Sequence, residues 1–122
     1  MSRPISISYR NPTDDFNTSI EIRAPYFLFG TQRTSEKFWA LPLWRSLGVT
    51  RLSELGHLDP IYFSGWDMLD VLAKEIRTFQ DHFSEIEFEP DVKSCFLAHL
   101  VYCHSLLIET APRNSIPEMT IG

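Results

Sequence analysis

The sequence predicts an α+β domain, in which a mainly antiparallel sheet of three or four strands packs against two longer helices and several short helical turns. Short stretches near the N-terminus alternate apolar and polar residues, as half-buried strands of an antiparallel sheet do. Two later stretches repeat apolar residues at spacings of three and four, the pattern of an amphipathic helix. The 122 residues suffice for one hydrophobic core, so residues 1–122 are expected to form a single globular domain.

The first strands are predicted from alternation and from turn residues. Residues 5–9 read Ile-Ser-Ile-Ser-Tyr, and residues 11–15 supply the Asn, Pro and Asp that favour turns. A second alternation covers residues 20–24, and an apolar run at residues 26–29 ends at Gly30. We therefore expect two antiparallel strands joined by a loop.

Residues 34–56 have a helical composition that is interrupted by helix-breaking residues. Pro42 suits the first position of a short helix, because its fixed φ matches that position and its missing N–H is not needed there. Gly48 is placed to end that helix, and Thr50 is placed to cap a further short turn. This segment is expected to cover one end of the sheet, with its two tryptophans as packing residues.

The first long helix is predicted over residues 67–83, after a short strand at residues 61–63. Ser64 is expected to cap its N-terminus. The apolar face of this helix consists of Leu69, Leu72, Ile76, Phe79 and Phe83. The other faces carry the charged residues Asp70, Lys74, Glu75, Arg77 and Asp81.

The second long helix is predicted from residue 92 to about Thr110, with Asp91 as its N-cap. Apolar residues cover most of its circumference, which places it at the centre of the domain or at an interface. The patch that would serve in a homodimer consists of Leu97, Val101 and Ile108. Residues 119–122 are expected to form a final edge strand.

The charge balance argues against several classes of partner. The net charge is −5, with 16 acidic and 11 basic residues, whereas binding to nucleic acid or to an anionic membrane draws on a basic surface. No apolar stretch approaches the roughly 20 residues of a membrane-spanning helix, and the N-terminal residues lack the apolar block of a secretory signal. We therefore expect a cytoplasmic protein that binds neither nucleic acid nor membrane.

The local motifs of common catalytic and cofactor sites are missing, among them a glycine-rich phosphate loop, His-Glu-x-x-His and Gly-x-Ser-x-Gly. We therefore expect no enzymatic activity, no cofactor and no metal centre. Cys95, His99 and Cys103 come closest to a metal site, but the two cysteines lie about 12 Å apart along one helix, too far to share one zinc ion. The alternative for His99 is a hydrogen-bonded core histidine. The same separation prevents a disulfide, so both thiols are expected to be reduced and buried.

Aromatic residues make up 13% of the chain, and they allow two interpretations. The set in question consists of Tyr26, Phe27, Phe29, Tyr62, Phe63 and Trp66. Such residues fill the space between a sheet and its helices, or they line a pocket. The second interpretation makes the protein a small-molecule binder or a small enzyme, with a pocket near His57, Tyr62 and Trp66.

Residues 81–91, called the acidic segment below, form the most suggestive polar region. Its acidic residues are Asp81, Glu85, Glu87, Glu89 and Asp91. If residues 85–89 are extended, their two apolar residues face inward and their three carboxylates face outward together. Such a row attracts a basic protein and accelerates encounter. The alternative is a solvated connector whose charges block edge-to-edge pairing.

A short strand, a glycine turn and an amphipathic helix follow one another at residues 61–65, Asp67, Leu69, Leu72, Glu75 and Ile76. With the N-terminal strands, the small acidic domain and the lack of catalytic motifs, this pattern resembles the immunity proteins of bacterial polymorphic-toxin and contact-dependent inhibition systems. The resemblance implies a cytosolic protein that binds and neutralises one cognate toxin domain, often a nuclease with a basic active site. The carboxylates would then mimic the toxin's substrate.

Overall fold

The computed structural model describes residues 2–122, which form a five-stranded antiparallel sheet covered by helices. The strands are β1 (Ser2–Arg10), β2 (Asn17–Ile20), β3 (Leu28–Thr31), β4 (Ile61–Ser64) and β5 (Ile116–Ile121). The helices are α1 (Gln32–Trp39), α2 (Leu43–Ser46), α3 (Trp66–Asp81) and α4 (Pro90–Thr110), with 3-10 turns at Leu52–Gly56 and Phe83–Glu85. The predicted α+β class is confirmed, with five strands in the sheet instead of three or four.

β1 organises the sheet by pairing along both of its edges. One edge bonds to β5, from Ile5 opposite Ile121 to Arg10 opposite Ile116. The other edge bonds to β2 near its end and to β3 near its start. Beyond β5 lies β4, which gives the order β2-β1-β5-β4 with β3 beside β1. β5 is therefore an interior strand and not the edge strand expected at residues 119–122, because strands bond to it on both sides.

The second strand lies earlier in the chain than predicted. Its pairing with β1 runs from Asn17 to Ile20, so the alternation at residues 20–24 does not form a strand. Two turns follow, in which the N–H of Tyr26 donates to the carbonyl of Arg23 and the N–H of Leu28 to that of Pro25. The chain leaves the sheet here because β2 and β3 pair with different parts of the same edge of β1.

The helices cover one face of the sheet and enclose the hydrophobic core. The sheet contributes the alternating buried residues Ile5, Ile7, Ile61, Phe63, Met119 and Ile121. The helical side contributes many aromatic rings, and Trp39 and Trp44 are each 1% exposed with ring centres 4.9 Å apart. The prediction that these two tryptophans are packing residues is confirmed.

The boundaries of the two long helices agree with the sequence pattern to within two residues, but both of their predicted N-caps are wrong. Ser64 remains in β4, and Gly65, with φ +90°, turns the chain into α3. α4 begins at Pro90, which suits a first helical position, so Asp91 lies inside the first turn and is not the cap. Gly48, with φ +83°, ends the short helix as predicted.

Glu75 is buried, although the sequence placed it on a charged face of α3; it is 5% exposed. One carboxylate oxygen accepts the N–H groups of Thr50 and Arg51 at 3.1 and 3.0 Å, and the other accepts that of Leu52 at 2.8 Å. Glu75, and not Thr50, therefore caps the 3-10 turn at Leu52–Gly56, because an ionised carboxylate accepts several N–H groups at once.

Arg3 is a second buried charge, 2% exposed. Its guanidinium donates to the hydroxyl of Ser35 at 3.0 Å and to the carbonyl of Leu55 at 2.8 Å, and it lies 3.8 Å from the carboxylate of Asp59. Arg3 therefore connects β1 to α1 and to the 3-10 turn at Leu52–Gly56.

Candidate functional site

The acidic segment connects α3 to α4 and is not a strand. Phe83–Glu85 form a 3-10 turn, and residues 86–89 have no regular structure. The predicted side-chain directions nevertheless hold, since Ile86 is 1% exposed and Phe88 is half-buried. The side chains that face solvent are Asp81, Glu85, Glu87, Glu89 and Asp91.

Lys93, from the first turn of α4, anchors this segment. It is 7% exposed, its ammonium donates to the carbonyls of Phe83 and Ile86 at 2.9 Å each, and it lies 4.4 Å from the centre of the Phe83 ring. Phe88 adds an edge-on contact with Phe38 at 5.0 Å. The carboxylates thus project from a backbone that is already ordered. Less conformational entropy is therefore lost when a partner binds to them.

Local structure accounts for some of these charges. Glu85 pairs with the imidazole of His82. Asp91 lies in the first turn of α4 and Glu89 lies at its N-cap position, where the positive end of the helix dipole favours acidic residues. Within residues 2–122, Glu87 forms neither an ion pair nor a side-chain hydrogen bond. No local interaction of this kind therefore accounts for the carboxylate of Glu87.

A shallow cleft adjoins the acidic segment. Glu85 and Glu87 line it together with Leu41, Pro42 and Leu43, and its volume is about 310 Å³. Leu41 and Leu43 are half-buried and Pro42 is exposed. An apolar surface bordered by carboxylates accommodates a lysine or arginine, because the alkyl stem packs on the apolar part and the cation meets the carboxylates.

Of the three residues of the expected pocket, His57, Tyr62 and Trp66, the last two do not line the cleft where His57 is found. Ile61 and Phe63 point into the core, so the residue between them, Tyr62, points to the opposite face of the sheet and is 50% exposed. Trp66 begins α3, and its indole N–H donates to the carbonyl of Ser115 at 3.0 Å.

His57 borders a different cleft, between α1–α2 and the 3-10 turn. This space, called the His57 cleft below, has a volume of about 310 Å³. Its lining includes Trp39, Leu41, Pro42, Arg45, Ser53 and His57. Arg45 could not be identified from the sequence, because only the folded structure determines whether an arginine side chain has an ion-pair or hydrogen-bond partner.

The Cys95, His99 and Cys103 side chains belong to the packing of α4. His99 is 7% exposed and its Nδ1–H donates to the carbonyl of Leu28, as the core-histidine interpretation predicts. In the part of the chain that is described, no group of three His, Cys, Asp or Glu residues is arranged to hold a metal ion. Both cysteines are free, as predicted, but only Cys103 is buried, whereas Cys95 is half-buried. Burial raises the pKa of Cys103 to about 12 and also raises the pKa of Cys95, so both thiols are protonated at neutral pH.

The patch predicted for a homodimer lies partly at the surface of α4. Val101 is 36% exposed and Ile108 is 42% exposed, while Leu97 is half-buried. Stacked rings of Tyr26 and Tyr102, 4.1 Å apart, lie beside it. Association through this patch stays a prediction.

No protein-family model, curated protein or solved structure matches the chain. Across residues 2–122, no helix combines the length and the apolar character needed to cross a membrane. The function is therefore inferred from the chemistry of the surface.

Proposed function

We propose that the protein is a non-enzymatic protein-binding module of the immunity type, which binds and neutralises a cognate toxin through the acidic segment. The observation that supports this proposal is the arrangement of Glu85 and Glu87, exposed carboxylates on an anchored loop beside an apolar cleft. The proposed partner is a basic protein domain in the cytoplasm, such as a nuclease.

Two properties of this surface favour a binding role over that of a solvated connector. Protein interfaces combine an apolar centre with a polar rim, and Leu41, Pro42 and Leu43 supply apolar surface next to the carboxylates. The carboxylates also attract a basic partner during diffusion, which raises the association rate. In a nuclease, they would occupy the basic groups that otherwise hold the phosphates of the substrate.

The gene directly upstream of the one encoding this chain supplies the first partner to test. The C-terminal domain of its product is expected to arrest growth when expressed alone, and co-expression of this chain is expected to restore growth. The purified domain should bind the chain with an association rate that falls steeply as salt is raised. A product that neither arrests growth nor binds the chain contradicts the proposal.

The acidic segment is tested by replacing Glu85, Glu87 and Glu89 together with glutamine. We expect the association rate at low salt to fall by about tenfold or more, because the steering charges are removed. The matched control replaces three exposed acidic residues elsewhere, Asp14 and Asp15 with asparagine and Glu21 with glutamine, which changes the net charge equally. An association rate that is insensitive to the glutamine variant and to salt refutes the role of the acidic segment.

A further inference from the structure

The His57 cleft is a basic site in an acidic protein. The chain has a net charge of −5, yet the lining of this cleft contains Arg45 and His57 and no Asp or Glu. Both side chains are exposed, and neither forms an ion pair or a side-chain hydrogen bond with the residues described here. The guanidinium of Arg45 is therefore free to bind an anion.

Several other arginines of the chain make contacts within the fold that Arg45 does not make. Arg3, Arg10 and Arg51 each donate hydrogen bonds to other residues of the chain. Arg113 lies 5.2 Å from the centre of the Trp66 ring. These interactions stabilise the fold. Arg45 lines a cleft whose lining has no acidic residue, whereas Arg33 lines a cleft together with Glu36.

Part of the cleft wall is apolar. Trp39, Leu41 and Pro42 line one part of it, and Gly56 lies where the 3-10 turn meets Ala40. A Cβ on Gly56 would lie 2.9 Å from the Ala40 backbone, so the two segments are in contact at this point. The volume of about 310 Å³ falls at the lower end of the range for small-ligand sites.

The three tryptophans differ in their indole hydrogen bonds. The N–H of Trp44 donates to the carbonyl of Phe38 at 2.8 Å, and that of Trp66 donates to the carbonyl of Ser115 at 3.0 Å. The N–H of Trp39 is buried and has no acceptor among residues 2–122. A buried donor without a partner is rare in native proteins, and this one belongs to a residue that lines the cleft.

We propose that the His57 cleft binds a small carboxylate with a flat apolar body. A carboxylate matches the planar fork of Arg45 with two parallel hydrogen bonds, and His57 offers a further donor. The apolar body packs against the accessible surface of Leu41 and Pro42, next to the buried Trp39. This site shares Leu41 and Pro42 with the cleft beside the acidic segment, but its anion-binding residues are different, so it does not depend on the proposed toxin-binding function.

Benzoate is the probe for this site, and benzamide, which has the same shape without the charge, is its control. Titration into ¹⁵N-labelled protein is followed through the three indole N–H signals. We expect benzoate to shift the Trp39 signal and to leave those of Trp44 and Trp66 unchanged, with a dissociation constant on the order of 1–10 mM. Benzamide is expected to bind at least about tenfold more weakly.

Variants identify the residues that bind the probe. Arg45→Gln is expected to weaken benzoate binding by about tenfold or more, and His57→Gln by a smaller factor. Arg33→Gln removes the same charge from an exposed position on α1 and should leave binding unchanged. Arg45→Lys, which keeps the charge and loses the fork, should fall between wild type and Arg45→Gln.

Three results would overturn the assignment: equal shifts of Trp39 with benzoate and benzamide, full affinity in Arg45→Gln, or no shift at benzoate concentrations of about 50 mM, well above the expected dissociation constant. The variant with Glu85, Glu87 and Glu89 replaced by glutamine should bind benzoate as the wild type does. Failure of the toxin-binding proposal would therefore leave this result unaffected.

Discussion

Replacing Glu75 with glutamine is expected to lower the free energy of unfolding by about 2–4 kcal/mol. The carboxylate is 5% exposed and accepts the backbone N–H groups of Thr50, Arg51 and Leu52 at 3.1, 3.0 and 2.8 Å. Glutamine retains one acceptor oxygen and replaces the other with an NH₂ group. That group cannot accept a hydrogen bond, and it would face a backbone N–H at close range.

The magnitude follows from the number of bonds affected. A hydrogen bond to a charged group contributes about 1.5–3 kcal/mol, and a buried donor without a partner costs about 1–3 kcal/mol. If the amide oxygen takes the place of the oxygen that accepts from Thr50 and Arg51, both bonds become weaker neutral ones and Leu52 loses its acceptor. Glu75→Ala removes all three bonds and should cost more than Glu75→Gln.

Urea unfolding followed by tryptophan fluorescence measures the change from the midpoint and slope of the transition. Glu109→Gln, an exposed substitution on α4, is the control and should change stability by less than about 0.5 kcal/mol. A loss below about 1 kcal/mol for Glu75→Gln would refute the capping role, because loss of a single charged hydrogen bond exceeds that value.

Two further substitutions test other polar contacts. Lys93→Met removes the donor to Phe83 and Ile86, so it should destabilise the protein by about 1–3 kcal/mol and speed amide hydrogen exchange in residues 83–88. The control is Lys74→Met, at an exposed position of α3. Unchanged exchange in residues 83–88 would contradict the anchoring role of Lys93. Burial lowers the pKa of His104 from 6.5, against smaller opposing effects of its hydrogen bond to Leu69 and of the Asp70 carboxylate. As the pH falls, His104 is therefore protonated in the unfolded state at a higher pH than in the folded state. The free energy of unfolding should thus decrease as the pH drops from about 7 towards 5. Urea unfolding at both pH values should show a smaller fall in His104→Gln, and an equal fall would exclude His104 as a source of the pH dependence.

The long helices could be predicted because their apolar periodicity is local. The patterns at residues 67–83 and 92–110 correspond to α3 and α4 with boundaries shifted by at most two residues. The same spacing contains a signal for two of the three buried charges, Glu75 and Lys93, which the prediction missed. Glu75 lies three residues after Leu72 and four before Phe79, and Lys93 lies three before Phe96, so each occupies the apolar face of its helix.

The candidate site was predictable only in part. The outward direction of the carboxylates follows from the alternation at residues 85–89 and holds in the structure, even though the backbone there is not a strand. The cleft of Leu41, Pro42 and Leu43 beside Glu85 and Glu87 joins segments more than 40 residues apart in the chain. Likewise, the sequence could not place Tyr62 relative to the His57 cleft, because the direction of a strand residue depends on which face of the sheet is buried.

By itself, the sequence determined the α+β class, the positions of α3 and α4, the turn at Gly48 and the core roles of Trp39, Trp44 and His99. These features depend on spacing within about one or two helical turns, on turn chemistry or on side-chain polarity. Only the tertiary structure decided that β5 lies between β1 and β4, that Glu75 caps a distant turn and that Arg45 and His57 share a cleft. Strand pairing and polar contacts join residues far apart in the chain, so their partners are set by how the whole domain packs.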